Sequence, residues 1–136
     1  MANINSRNIS EAEEIFQLAS KDLIAFGKLF LPDDFTRSET PPFHYEVADS
    51  IDDKECKQLA IILPRGHGKT VLTKASILKD FVFCSKDDML FYAWVSATQK
   101  LSDGNMDYIK HHLEFNDRFK YYFGKTKEIS NASSED

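Results

Sequence analysis

Hydrophobic residues in the first part of the chain recur at helical spacing. Five of them fall three or four positions apart: Ile15, Ala19, Leu23, Phe26 and Phe30. This spacing predicts one amphipathic helix of about five turns, and the capping-box sequence "SEAE" at 10–13 predicts its start. A short helix is predicted over 43–50, and the spacing of apolar residues further along predicts helices over 70–83 and 98–115.

Two other stretches are apolar at every position. They are 59–63, "LAIIL", and 89–95, "MLFYAWV". Continuous apolar runs of this length are typical of strands that are buried on both faces of a parallel sheet. Because the helix predicted over 70–83 lies between them, the order strand, helix, strand predicts a right-handed parallel crossover and an α/β fold.

The predicted elements divide the chain into three parts. Residues 1–57 are expected to form an N-terminal helical segment that leads into the core. Residues 58–126 hold the core itself, in the order strand, loop, helix, strand, helix. Residues 127–136 form a polar tail that includes the sequence "SNASSED".

Composition narrows the class of protein. With 136 residues, 42% hydrophobic and 29% charged, the chain resembles one soluble domain or part of one. The net charge of -5 gives no overall attraction to nucleic acid, so a DNA contact would need a local basic patch. Cys56 and Cys84 are predicted to be reduced thiols, and the histidines form no metal-ligand pattern. Since no apolar run is long enough to span a membrane, we expect a cytosolic protein with no membrane partner.

The sequence "PRGHGKT" at 64–70 stands between the first predicted strand and the helix that follows it. Backbone N–H groups at a helix start are unpaired and favour an anion. Gly66 and Gly68 allow the backbone to close around phosphate oxygens. Lys69 would bring a positive charge to the β- and γ-phosphates, and the Thr70 hydroxyl would bind Mg²⁺. The first glycine of the general phosphate-loop pattern is absent, because Leu63 occupies its position.

Arg65 and His67 are the remaining side chains of this loop. Arg65 is either a solvated arginine or a group that reaches the γ-phosphate and stabilises the charge that develops during transfer. We therefore treat Arg65 and Lys69 as the candidate catalytic residues. His67 belongs to the nucleotide-binding loop by position and receives no catalytic role.

These residues resemble the N-terminal part of a bacteriophage terminase large subunit, the ATPase that packages DNA into capsids. The matching stretches are "DLIAFGKLFLPDDF", "TPPFHYEVADSI", "PRGHGKT" and "FYAWVSATQKLSDGNMDYIKHHLEFN". The third is similar to the family's variant loop, which often lacks the first glycine and carries an arginine where Arg65 stands. His44 occupies the place nearest to a glutamine that contacts adenine in many members, although a core or capping histidine is an equal interpretation.

The resemblance implies a partial P-loop NTPase fold that binds ATP and Mg²⁺. It also implies several partners for the full-length protein: double-stranded DNA, the portal protein, the small terminase subunit and the remaining part of the large subunit. The full-length form would act as an oligomeric ring in the host cell cytoplasm, transiently at the procapsid.

One requirement of ATP hydrolysis is missing from the sequence. Hydrolysis in this class needs a strand that ends in acidic residues, whereas the run 89–95 is followed by Ser-Ala-Thr. We therefore expect a fragment or split product of a larger motor, inactive alone. Two alternatives stay open, namely part of another P-loop NTPase of the helicase type and a non-catalytic nucleotide-binding module.

Overall fold

The computed structural model describes residues 4–85, 87 and 89–123, so the predicted polar tail at 127–136 lies outside the described residues. The described part contains seven helices: α1 (Ile4–Lys21), α2 (Leu23–Phe30), α3 (Pro32–Phe35), α4 (Pro42–Asp52), α5 (Lys69–Phe83), α6 (Gln99–Phe115) and α7 (Asp117–Phe123). They belong to two compact units, one ending at Ser76 and the other beginning at Ile77. The boundary falls within α5.

The predicted α/β class, with its parallel strands and partial P-loop NTPase fold, is wrong. Every regular element of the described residues is a helix, and neither 59–63 nor 89–95 forms a strand. Side chains expected inside a sheet are instead exposed, with Ile62 at 92% and Phe91 at 90%. A strand is stable only when its backbone pairs in a ladder and its faces are covered. Neither run has such a ladder within the described residues, so an apolar sequence alone does not produce a sheet.

The prediction of a single long N-terminal helix is also wrong, because the helix is interrupted at Asp22. Helix α1 ends at Lys21, and Asp22 is extended with φ -122° and ψ 122°. The Asp22 side chain accepts a 2.7 Å hydrogen bond from the backbone N–H of Ala25 and so caps α2. The capping-box sequence at 10–13 lies inside α1 and does not start it. A polar N-cap within the apolar stripe therefore outweighs the continuity of that stripe.

Three other predicted helices are confirmed. Helices α4, α5 and α6 correspond to the predictions over 43–50, 70–83 and 98–115. Thr98 caps α6, as its side chain accepts from the backbone N–H of Leu101. Helix α7 was not predicted, although Asn116 supplies a cap by accepting from the backbone N–H groups of Arg118 and Phe119 at 3.0 and 3.3 Å.

The first unit is built around α2, which packs on α1, α3 and α4. Its aromatic side chains Phe26 and Phe30 are fully buried, with ring centroids 4.9 Å apart. The backbone N–H of Leu23 donates a 3.0 Å hydrogen bond to the Asp52 carboxylate, which joins the start of α2 to the end of α4. Buried Leu72 belongs to the first turns of α5. The helix that follows the glycine-rich loop is therefore anchored in this unit.

The second unit contains the remainder of α5 together with α6 and α7, and the Phe83 ring of α5 meets the Phe123 ring of α7 edge-on. Its buried apolar residues are Ile77, Leu78, Ile109, Leu113 and Phe119. Tyr92, in the apolar run 89–95, donates a short hydrogen bond from its hydroxyl to the Asp80 carboxylate. Burial and this contact with Asp80 raise the pKa of Tyr92 above its ordinary value. The phenol therefore stays a donor to Asp80 at neutral pH.

Substitution of two helical glycines by alanine is expected to change the stability in opposite directions. A Cβ at Gly27 in α2 would overlap the Phe35 ring, whereas a Cβ at Gly104 in α6 would meet nothing within 4 Å. We expect Gly27→Ala to lower the free energy of unfolding by about 1–3 kcal/mol through overpacking. Gly104→Ala should raise it by up to about 1 kcal/mol, because alanine has the higher helix propensity. Denaturant unfolding monitored by circular dichroism measures both, and equal effects of the two substitutions would contradict the packing of Phe35 on Gly27.

Candidate phosphate-binding loop

The backbone of 64–70 has the conformation that its two glycines permit. Gly66 has φ 85° and Gly68 has φ 79°, and these are the positive φ values found among the described residues. Other residue types adopt this left-handed region at a cost, because the Cβ atom clashes with the backbone. Helix α5 begins at Lys69, directly after the second glycine. The tightly curved backbone of the loop therefore lies at the positive end of the α5 helix dipole.

Lys69 folds back over the start of the loop. Its ammonium donates to the backbone carbonyl oxygens of Leu63 and Pro64, the second at 2.8 Å. These bonds hold the charge beside the loop. Since an ammonium carries three N–H donors, one remains for a phosphate oxygen without loss of the two carbonyl contacts.

Two imidazoles form hydrogen bonds with backbone carbonyl groups of the same loop. His44 Nε2, on α4, lies 2.9 Å from the carbonyl oxygen of His67. His67 Nδ1 lies 3.2 Å from the carbonyl oxygen of Arg65. Because a carbonyl oxygen only accepts, each of these ring nitrogens carries the proton. The loop is therefore held both by its own histidine and by one that is 23 residues earlier in the chain.

Arg65 and Thr70 lie at the two ends of the curved backbone. Both side chains are exposed. Arg65 forms no ion pair with the side chains that the structure describes, and Thr70 is in the first turn of α5. Every predicted loop residue thus lies on one short segment, and the guanidinium and the hydroxyl are accessible to a ligand.

A small cavity of about 90 Å³ adjoins the loop on the α4 side. Its lining includes Asp34, Glu39, His44, Gly68 and Leu72. Nothing in the amino-acid pattern singled out Asp34 and Glu39, which precede the motif by more than twenty residues in the acidic stretch "PDDFTRSETPP". Both residues line this cavity beside Gly68.

The charge of Asp34 is opposed by a lysine on α5. Burial lowers the pKa of Lys74, and the negative charge of Asp34 acts in the opposite direction. This attraction links α3, where Asp34 lies, to the helix that follows the loop. Glu39 lies between α3 and α4 and is exposed. These interactions place a lysine charge against Asp34 but none against Glu39.

The described residues contain no group of three or more His, Cys, Asp or Glu side chains that could hold a metal ion. A magnesium ion bound with a nucleotide does not need such a group, because it takes one or two protein oxygens together with phosphate oxygens and water. The exposed Thr70 hydroxyl fits this role chemically. In the part of the chain that the structure covers, no helix combines the length and the apolar character needed to cross a membrane.

Comparisons with known proteins found no match to the chain among family models, curated proteins or solved structures. A functional assignment therefore depends on the geometry of the loop and on the motifs of the sequence.

Proposed function

We propose that residues 64–70 bind the phosphates of ATP together with Mg²⁺. We propose further that the chain supplies the nucleotide-binding part of a DNA-packaging ATPase of the terminase large-subunit type. The observation that carries the first proposal is the pair of left-handed glycines, Gly66 and Gly68, placed directly before Lys69 at the start of α5. Glycine loops of this kind bind anions through backbone N–H groups and the helix dipole.

Each loop residue has a role in this proposal. Lys69 neutralises negative charge on the β- and γ-phosphates and stays tethered to the carbonyls of Leu63 and Pro64. Thr70 offers its hydroxyl to Mg²⁺, which neutralises further phosphate charge when bound. Arg65 acts on the charge that develops at the γ-phosphate during transfer.

The assignment to DNA packaging has a different support, namely the sequence resemblance around the loop and in the segments that flank it. Under this proposal the full-length protein works with double-stranded DNA, the portal protein and the small terminase subunit as an oligomeric ring. The net charge of -5 means that DNA would contact a local basic patch or another part of the assembly.

Substitution of Lys69 tests the phosphate-binding proposal. We expect Lys69→Ala to weaken ATP binding by about 2 kcal/mol, roughly thirtyfold, because a charge-assisted contact with phosphate is lost. Isothermal titration calorimetry with Mg²⁺ and ATP measures the change.

Lys100→Ala is the matched control for this experiment. Lys100 is an exposed lysine in the first turn of α6, where no glycine loop precedes the helix. Its replacement should leave ATP affinity unchanged. Equal affinity of the Lys69→Ala and unsubstituted chains would refute phosphate binding at this loop.

A further inference from the structure

We propose that His44 is a positioning residue that holds the phosphate-binding loop in its binding shape through a hydrogen bond from α4. This role rests on the proposed function of the loop. It differs from an adenine contact, because the His44 imidazole acts on the protein backbone and not on the nucleotide base.

The hydrogen bond fixes the middle of the loop. His44 Nε2 donates to the carbonyl oxygen of His67 over 2.9 Å, and His67 lies between the two left-handed glycines. A carbonyl held on one side of a peptide directs the N–H of that peptide to the opposite side, because the peptide unit is planar. The bond thus sets the orientation of the peptide that joins His67 to Gly68.

Steric contact reinforces this bond. A Cβ placed at Gly68 would lie 3.0 Å from His44 Nε2 and 3.1 Å from its Cε1 atom. The imidazole therefore rests directly against the Gly68 backbone, and glycine is required there both by its φ and by this approach. Any other residue at this position would push the ring away from the His67 carbonyl.

The ring is itself held from α4. The Phe43 ring meets the His44 ring edge-on at 4.6 Å and lies 5.9 Å from the His67 ring. Helix α4 is fixed in the first unit by the buried Ala48 and by the Asp52 contact with α2. A rigid helix therefore positions the donor that shapes the loop.

Ligands with and without a base separate the two roles of His44. We expect His44→Leu and His44→Ala to weaken binding of Mg²⁺–ATP and of Mg²⁺–tripolyphosphate by the same factor, about tenfold, because a hydrogen bond to the loop is lost. His44→Gln should restore most of both affinities, since its amide N–H can donate at similar reach. His111→Leu, an exposed histidine on α6, is the control and should change neither. Calorimetry gives the affinities, and thermal unfolding shows whether each variant is folded.

Several results would overturn this role. Loss of ATP affinity alone would assign His44 to the base, and unchanged affinity for both ligands would remove it from the site. Failure of His44→Gln to restore binding, or unfolding of both the leucine and the alanine variants, would reduce His44 to a packing residue. If Lys69→Ala lowers affinity while the His44 variants do not, the positioning role fails and phosphate binding stands. If Lys69→Ala has no effect, the proposed function itself fails.

Discussion

Under the proposed function, replacing Arg65 with alanine is expected to lower ATP turnover by the full-length protein by about a thousandfold or more. The Arg65 guanidinium is exposed and forms no ion pair with the described side chains, so it is available to a phosphate that arrives at the loop. A guanidinium that meets charge only as it develops stabilises the transition state more than the bound substrate. Turnover should therefore fall far more than ATP affinity.

Steady-state hydrolysis and equilibrium ATP binding, measured on the same Arg65→Ala preparation, separate the two effects. The Arg65→Lys variant is a second test. Lysine keeps the positive charge but lacks the planar guanidinium, which can donate two hydrogen bonds to one phosphate. Turnover within a few fold of the unsubstituted protein would make Arg65 a surface residue. A loss of affinity as large as the loss of turnover would make it a binding residue.

The second large effect is that residues 1–136 alone should release no phosphate from ATP above the level of their Lys69→Ala variant. Hydrolysis needs a group that positions the attacking water as well as groups that hold the triphosphate. Under the proposed function, the loop supplies groups of the second kind, namely Lys69 and Thr70. Near the loop, Asp34 faces the opposing charge of Lys74, and Glu39 is an exposed residue between helices.

Phosphate release by the purified chain, with and without DNA, tests this expectation. Under the proposed function, adding the remaining part of the large subunit should then produce hydrolysis that depends on Lys69. Steady hydrolysis by the short chain, abolished by Lys69→Ala, would show that a catalytic carboxylate is already present. Asp34→Asn and Glu39→Gln would then identify which of the two it is, because both carboxylates line the cavity beside Gly68.

Helix positions follow from the sequence because their causes are local. Apolar spacing within a few turns was enough to predict α5 and α6, and the short helix α4 was also predicted. The same local chemistry explains two errors, since the Asp22 cap divides the first predicted helix and the Asn116 cap starts α7. In both cases a polar residue that satisfies backbone N–H groups sets the boundary, while the apolar pattern was given more weight.

The sheet could not be predicted from local pattern, because pairing of strands is a non-local property. Residues 59–63 and 89–95 have the composition of buried strands, yet Ile62 and Phe91 are more than 85% exposed. Hydrophobicity favours burial of a segment but does not supply the neighbouring backbone that a ladder needs. The apolar runs that predicted parallel strands therefore do not form a sheet among the described residues.

The candidate site shows the same division between local and non-local information. The positive φ of Gly66 and Gly68 and the start of α5 beside Lys69 were accessible from the motif alone. The hydrogen bond from His44 was not, because it joins residues 23 positions apart. Where a preceding strand was expected to support the loop, the structure has contacts from α4 and from the Lys69 side chain.

The most direct test of phosphate binding by this loop is the response of its backbone amides to a ligand. Two-dimensional NMR of the ¹⁵N-labelled chain, titrated with Mg²⁺–ATP, follows Gly66, Gly68, Lys69 and Thr70 individually. Our account predicts saturable shifts that are largest at these four amides and are lost in Lys69→Ala. Saturable shifts centred elsewhere in the chain, or no shift at these amides at millimolar ATP, would contradict it.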